Sequence, residues 1–142
     1  KKHVFDDDII VLVDDQLAAE GERIVFKRLR VVCGTDGPQT AEIDLTIEGD
    51  EKYAIARGNG PVDAVFNAIR QIVPHDAKLD LYQVHAVTGG TDAQATVSVR
   101  LNGEGIMATG RSSDPDTLVA SAKAYLHAVN KLEARKAKRK AA

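Results

Sequence analysis

The chain has 142 residues, 44% hydrophobic and 28% charged, the composition of one globular domain with a real core rather than a largely disordered chain. A formal net charge of -2 with 4% aromatic residues gives no global attraction to nucleic acid and few rings for base stacking. The single cysteine, Cys33, excludes an internal disulfide and fits a reducing compartment; no stretch nears the ~20 apolar residues of a membrane span, so a soluble cytoplasmic protein is expected.

In chain order, Asp6, Asp7 and Asp8 suit a helix N-terminus, and Ile9, Ile10, Val11, Leu12 and Val13 follow. They predict a short N-terminal helix over residues 6–19, with a break at residues 20–22. Lys1 opens almost directly on this element with no methionine, so the chain reads as a piece of something longer.

From there the sequence repeats. A shift of 54 residues places Ala41, Ile43, Leu45, Ile47 and Gly49 on Ala95, Val97, Val99, Leu101 and Gly103, and Arg57, Pro61, Val65 and Ala68 on Arg111, Pro115, Val119 and Ala122. An internal duplication explains both the strand-like and the helix-like matches. The first copy predicts strands over residues 23–33, 41–48 and 52–56, then a helix on which Val62, Val65, Phe66, Ile69 and Ile72 share one face and which Pro74 stops. The second predicts strands over 79–88, 95–101 and 105–110. Its helix is expected to begin at Asp114 or Pro115, with Leu118, Val119, Ala122, Tyr125, Leu126, Val129 and Leu132 on the apolar side. Ala120, Ala124 and Ala128 add a small-residue surface that permits close contact with a neighbour.

These patterns predict an α+β fold of two packed βββα units, residues 23–74 and 78–133, preceded by the short helix and followed by a basic tail over 136–142. At roughly 55 residues each, neither unit buries enough alone, so the units must pair with each other and can also recruit a second chain.

Two segments stand out chemically. RGNGPVDAV at residues 57–65 runs a glycine-bracketed turn into Pro61, which suits the first helical position. It is either a tight helix start or an anion site, where a ligand carboxylate meets free amides and the positive end of the helix dipole. VTGGTDAQA at residues 87–95 places Gly89, Gly90, Thr91 and Asp92 between two strands. Turn chemistry alone accounts for it, yet Thr91 and Asp92 also offer a hydroxyl and a carboxylate to an ammonium group, and Ala86 and Ala93 leave room beside them. Together the segments supply two halves of an amino-acid site.

Other chemistry is faint. His3, His75, His85 and His127 form no HxH or HExxH pair, Cys33 is expected to be a buried structural thiol, and His85 a partly buried strand residue. Serine-elbow, P-loop and dinucleotide fingerprints are missing, so no catalytic or metal residue is assigned. Residues 135–140 are basic but lack interleaved aromatics, which suits a solvated helix end better than a nucleic-acid contact.

GNGPVDA at residues 58–64, TGGTDAQA at 88–95 and ASAKAYLHAVNKL at 120–132 resemble the C-terminal regulatory domain of the 2-isopropylmalate synthases, the first committed enzymes of leucine biosynthesis. KKHVFDDDI at residues 1–9 is similar to the end of the linker region before that domain, which assigns residues 1–20 to the linker and 21–135 to the regulatory domain. The resemblance implies a homodimer of duplicated βββα units with leucine at the protomer interface as feedback inhibitor. It implies effector contacts at Gly58, Asn59, Gly60, Pro61, Val62 and Asp63, small walls at Ala86 and Ala93, and flanking positions at Leu79 and Tyr82. Leucine's carboxylate would meet the amides near residues 58–63, its ammonium Asp92 or carbonyls, and its isobutyl group Val62, Ala86 and Ala93.

The catalytic barrel that condenses acetyl-CoA with 2-oxoisovalerate, with its divalent-metal HxH ligands, is absent from this sequence. The chain itself is therefore expected to be non-catalytic and without cofactor, while the parent enzyme uses a divalent metal. Neither nucleic acid nor membrane is an expected partner. An isoleucine-sensing domain of the related citramalate synthases, or a purely dimerising domain, remain alternatives. In the second copy Ser112, Ser113 and Asp114 replace the glycine turn while Pro115 remains, so the proline is expected to serve the helix start in both copies and the glycines only the first.

Overall fold

The computed structural model describes residues 22–87 and 94–141; the expected N-terminal helix lies outside them. Strands β1 (Ile24–Val32), β2 (Gln39–Ile47) and β3 (Asp50–Gly58) form one antiparallel sheet in that order and lead into α1 (Pro61–Ile72). Strands β4 (Lys78–Val87), β5 (Gln94–Gly103) and β6 (Ile106–Asp114) form the second, followed by α2 (Thr117–Ala141). This is the expected pair of βββα units.

Alternation decides the faces. Ala41, Ile43 and Leu45 on β2 and Val97, Val99 and Leu101 on β5 are buried, while Glu42 and Asp44 point out to pair with Arg30 and Arg28. Helix α1 lies on β2 and β3, and α2 lies on β5 and β6 while also reaching α1 and β1, so the two units meet through their helices and the β1 edge. Phe66 of α1 stacks on Tyr125 of α2 with ring centroids 4.5 Å apart. Across the seam Arg23 holds Glu133 at 2.8 Å, and Asn130 accepts from Ile24 N at 3.0 Å and donates to Ile24 O at 2.9 Å. The two units thus bury each other's apolar faces.

The small-residue surface of α2 meets β6. A Cβ on Gly110 would lie 2.1 Å from the Ala124 carbonyl oxygen and 2.4 Å from Ala128 N, so helix and strand backbones touch there. Beyond residue 135 the basic residues continue α2 to Ala141.

Three expectations change. First, the structural repeat from the second strand onward is 56, not 54. The turn pair Glu48 and Gly49, both at positive φ, corresponds to Glu104 and Gly105, and the first helical turns close as Ala64 N to Gly60 O and Ala120 N to Asp116 O. Both offsets are even, so strand alternation fits either; only turns and caps distinguish them. Second, α2 begins at Thr117, because β6 runs on to Asp114 and Asp116 is the cap. Pro115 therefore precedes the cap and is not the counterpart of Pro61. Third, Cys33 and His85 are exposed. Cys33 falls one residue past β1, and His85 sits on the outer face of edge strand β4, opposite in sense to Tyr82 and Val84.

Candidate functional site

The glycine turn sits where β3 ends and α1 begins. Gly60 is the N-cap with φ -158, an extended conformation open to any residue, and it carries no side-chain cap bond; Pro61 follows at the first helical position. Asp63 reaches back so that its Oδ2 accepts from Asn59 N at 2.9 Å. The amides of Val62 and Asp63, in the first turn, have no carbonyl within the helix to bond.

The two glycines have different reasons. A Cβ on Gly58 would lie 2.4 Å from Ala64 N and 2.8 Å from Ala64 Cα, so α1 packs directly on this strand end. A Cβ on Gly60 would meet nothing within 4 Å. Packing within the chain therefore explains Gly58 and leaves Gly60 unexplained.

The second repeat shows what the position can hold. At its equivalent, Asp116, Oδ1 accepts from Leu118 N at 2.8 Å and Val119 N at 3.4 Å. A carboxylate thus covers the amides that correspond, 56 residues earlier, to those of Val62 and Asp63. In the first repeat Gly60 supplies no such carboxylate, and α1 has no side-chain cap bond.

Tyr82 stands beside this turn's helix. Its ring meets Phe66 edge-on at 5.8 Å, and Phe66 follows Val62 by one turn on the same face of α1. Its hydroxyl lies 2.7 Å from Ser121 Oγ, which itself donates to Thr117 O at 2.8 Å, so Tyr82 is the donor of the pair. Leu79 and Val84 stand opposite fully buried Leu101 and Val97, yet each is 43% exposed. Directly opposed residues share a sheet face. The inward face of β4 is consequently covered at Tyr82 and exposed on either side of it, at Leu79 and Val84.

The structure therefore joins residues 58–63 in one turn, links Val62 to Tyr82 through Phe66, and places Leu79 on the same strand beyond a bulge between Leu79 and Leu81. Ala86 sits near the end of β4, paired in the backbone with Ala95. Thr91, Asp92 and Ala93 lie outside the described residues. Phe66 and Tyr125 stand on the apolar helix faces the sequence predicts, whereas Ser121 and the capping Asp116 are not singled out by it; the repeat read at 56 places Asp116 on Gly60.

Cavities of about 300, 310 and 410 Å³ open beside Phe26 and Lys123, beside His75 and Val129, and beside Glu104 and Arg139. None of these three is lined by residues 58–63, Leu79 or Tyr82. The glycine turn and the exposed Leu79 and Val84 of β4 lie outside all three. Behind them, burial pushes the Tyr125 phenol up to about 12 and the His75 imidazole down from its usual value, with Arg70 and Lys136 repelling the imidazolium as well. Tyr125 OH and His75 Nε2 are 2.7 Å apart. Among the described residues no three histidine, cysteine or acidic side chains gather to hold a metal.

A model of the LeuA allosteric (dimerisation) domain matches residues 3–133. The chain belongs to this family. Its relatives include the 2-isopropylmalate synthase of Caulobacter sp. (strain K31), 67% identical over 138 residues that make up 97% of this chain and 26% of that protein. That of Caulobacter vibrioides (strain NA1000 / CB15N) is 65% identical with the same coverage, and that of Nitrobacter hamburgensis 60% identical over 93% of this chain and 25% of its own length. The chain thus spans about a quarter of the length of these relatives. The resemblance carried by the glycine turn and by the α2 sequence holds across the chain.

Proposed function

We propose that the chain is the leucine-sensing allosteric domain of a 2-isopropylmalate synthase, working as a homodimer in which a second protomer completes the site. The observation that carries this reading is the contrast between the repeats: Asp116 covers the amides of one helix with its own carboxylate, while Gly60 leaves the equivalent amides to a ligand. Leucine's carboxylate takes that place. Its isobutyl group lies along Val62 and the exposed Leu79 and Val84 of β4, where burial of such a side chain supplies ~1.5–3 kcal/mol. Thr91 and Asp92 offer groups for the ammonium, with Ala86 and Ala93 as the small walls. Effector binding inhibits when it favours the less active arrangement of the whole enzyme, a coupling of typically ~1–3 kcal/mol.

Condensation of acetyl-CoA with 2-oxoisovalerate, and the divalent metal it uses, belong in this proposal to the rest of the parent chain in the cytoplasm. The names of the relatives favour leucine over an isoleucine-sensing citramalate synthase domain. Titration calorimetry with leucine, isoleucine, valine and methionine tests the reading. Saturable heat strongest for leucine is expected. A stable dimer that gives no heat with any of the four would reduce the domain to assembly alone.

A further inference from the structure

Strand β6 is the outer strand of its sheet, so among the described residues one side of it has no neighbouring strand. Such an edge is a template for a strand of another molecule. Here its carbonyls are already taken by one helix. Along α2, Nδ1 of His127 lies 3.1 Å from Arg111 N and O, Lys131 Nζ donates to Thr109 O at 2.8 Å, the Arg135 guanidinium donates to Met107 O, and Arg139 Nη1 donates to Glu104 O at 2.6 Å.

The spacing makes this a ladder. Every fourth residue of a helix advances about 6 Å, and every second residue of a strand advances about 6.8 Å. Basic residues at positions 127, 131, 135 and 139 therefore stay in step with the edge-facing residues 111, 109 and 107 and with Glu104 in the turn that precedes β6. Like charges four apart repel along a helix, so the pattern is unfavourable for α2 by itself. The carbonyls and the helix dipole offset that repulsion, and Lys131, only 6% exposed, keeps its ammonium at the edge. On its other side α2 also occupies β1, the edge of the first sheet, through the two bonds of Asn130 to Ile24.

We infer that the basic stripe of α2 closes β6 to strand addition, so that strand pairing between molecules falls to the outer sides of β3 and β4, which carry no such stripe among the described residues. The inference is independent of leucine binding. In an antiparallel strand the N–H of a residue points to the same side as its C=O, so the Met107 and Thr109 amides report on this edge. The test compares the parent chain with Lys131→Met/Arg135→Met, which keeps unbranched stems and removes the donors. Light scattering over a concentration series and amide hydrogen exchange are the readouts. The variant is expected to form concentration-dependent larger species in which the Met107 and Thr109 amides exchange about tenfold or more slowly than in the parent. An unchanged oligomeric state at every concentration, or larger species with unprotected amides, would overturn the inference. Should the double variant fail to fold, Lys131→Met must associate and Lys131→Arg must not; identical behaviour of these two also overturns it.

Discussion

Gly58 and Gly60 stand two residues apart and do different work. At Gly58 the absent Cβ makes room for α1, so Gly58→Ala forces backbone apart and is expected to destabilise by about 1–3 kcal/mol. At Gly60 the backbone is extended and the space open, so Gly60→Ala is expected to change stability by less than about 0.5 kcal/mol. Urea unfolding of the two variants measures the difference. His75 sets a pH dependence at the same scale. Its folded pKa lies below 6.5, so the unfolded chain binds more protons as pH falls. The stability it contributes is complete above that value and is lost as pH drops through the folded pKa. His75→Gln is expected to flatten the thermal midpoint between pH 7 and pH 5, measured by circular dichroism; an unchanged slope would remove His75 as the cause.

Between elements, α2 organises the molecule. It lies on its own sheet, stacks Tyr125 on Phe66, and ties the edge of β1 through Asn130. Asn130→Ala would leave the buried Ile24 N–H and the Ile24 carbonyl without these partners, at about 1–3 kcal/mol for each unsatisfied group. Chemical denaturation should show that loss as a lower midpoint with both sheets retained in the native baseline. Most of this architecture was legible, because alternating Ala41, Ile43 and Leu45 and the helical spacing of Val65, Phe66 and Ile69 are local patterns. The offset of the repeat was not, since Pro61 with Pro115 and Arg57 with Arg111 align by coincidence at 54. Nor was the ladder on β6, whose partners are 16 to 35 residues apart and meet only in the fold. Its one local trace is basic side chains at every fourth position of α2.

At the scale of the whole molecule, the glycine turn, the exposed Leu79 and Val84 of β4 and membership of a dimerising allosteric family are what support the proposal of a site completed by a second protomer. The turn proposed to hold the ligand was legible as a helix start because it is local, in residues 58–63. Its neighbour Tyr82 was placed only through the resemblance, and its contacts with Phe66 and Ser121 depend on packing between the units. The claim that leucine's carboxylate occupies the Gly60 cap is tested most directly by Gly60→Asp. An aspartate there supplies its own carboxylate to the amides, as Asp116 does in the second repeat, and fits the extended backbone. Calorimetric titration of leucine into parent and variant, with thermal melts of both, is the decisive measurement. The expected result is a variant at least as stable as the parent that has lost leucine binding, and a folded Gly60→Asp chain binding leucine as tightly as the parent would contradict it.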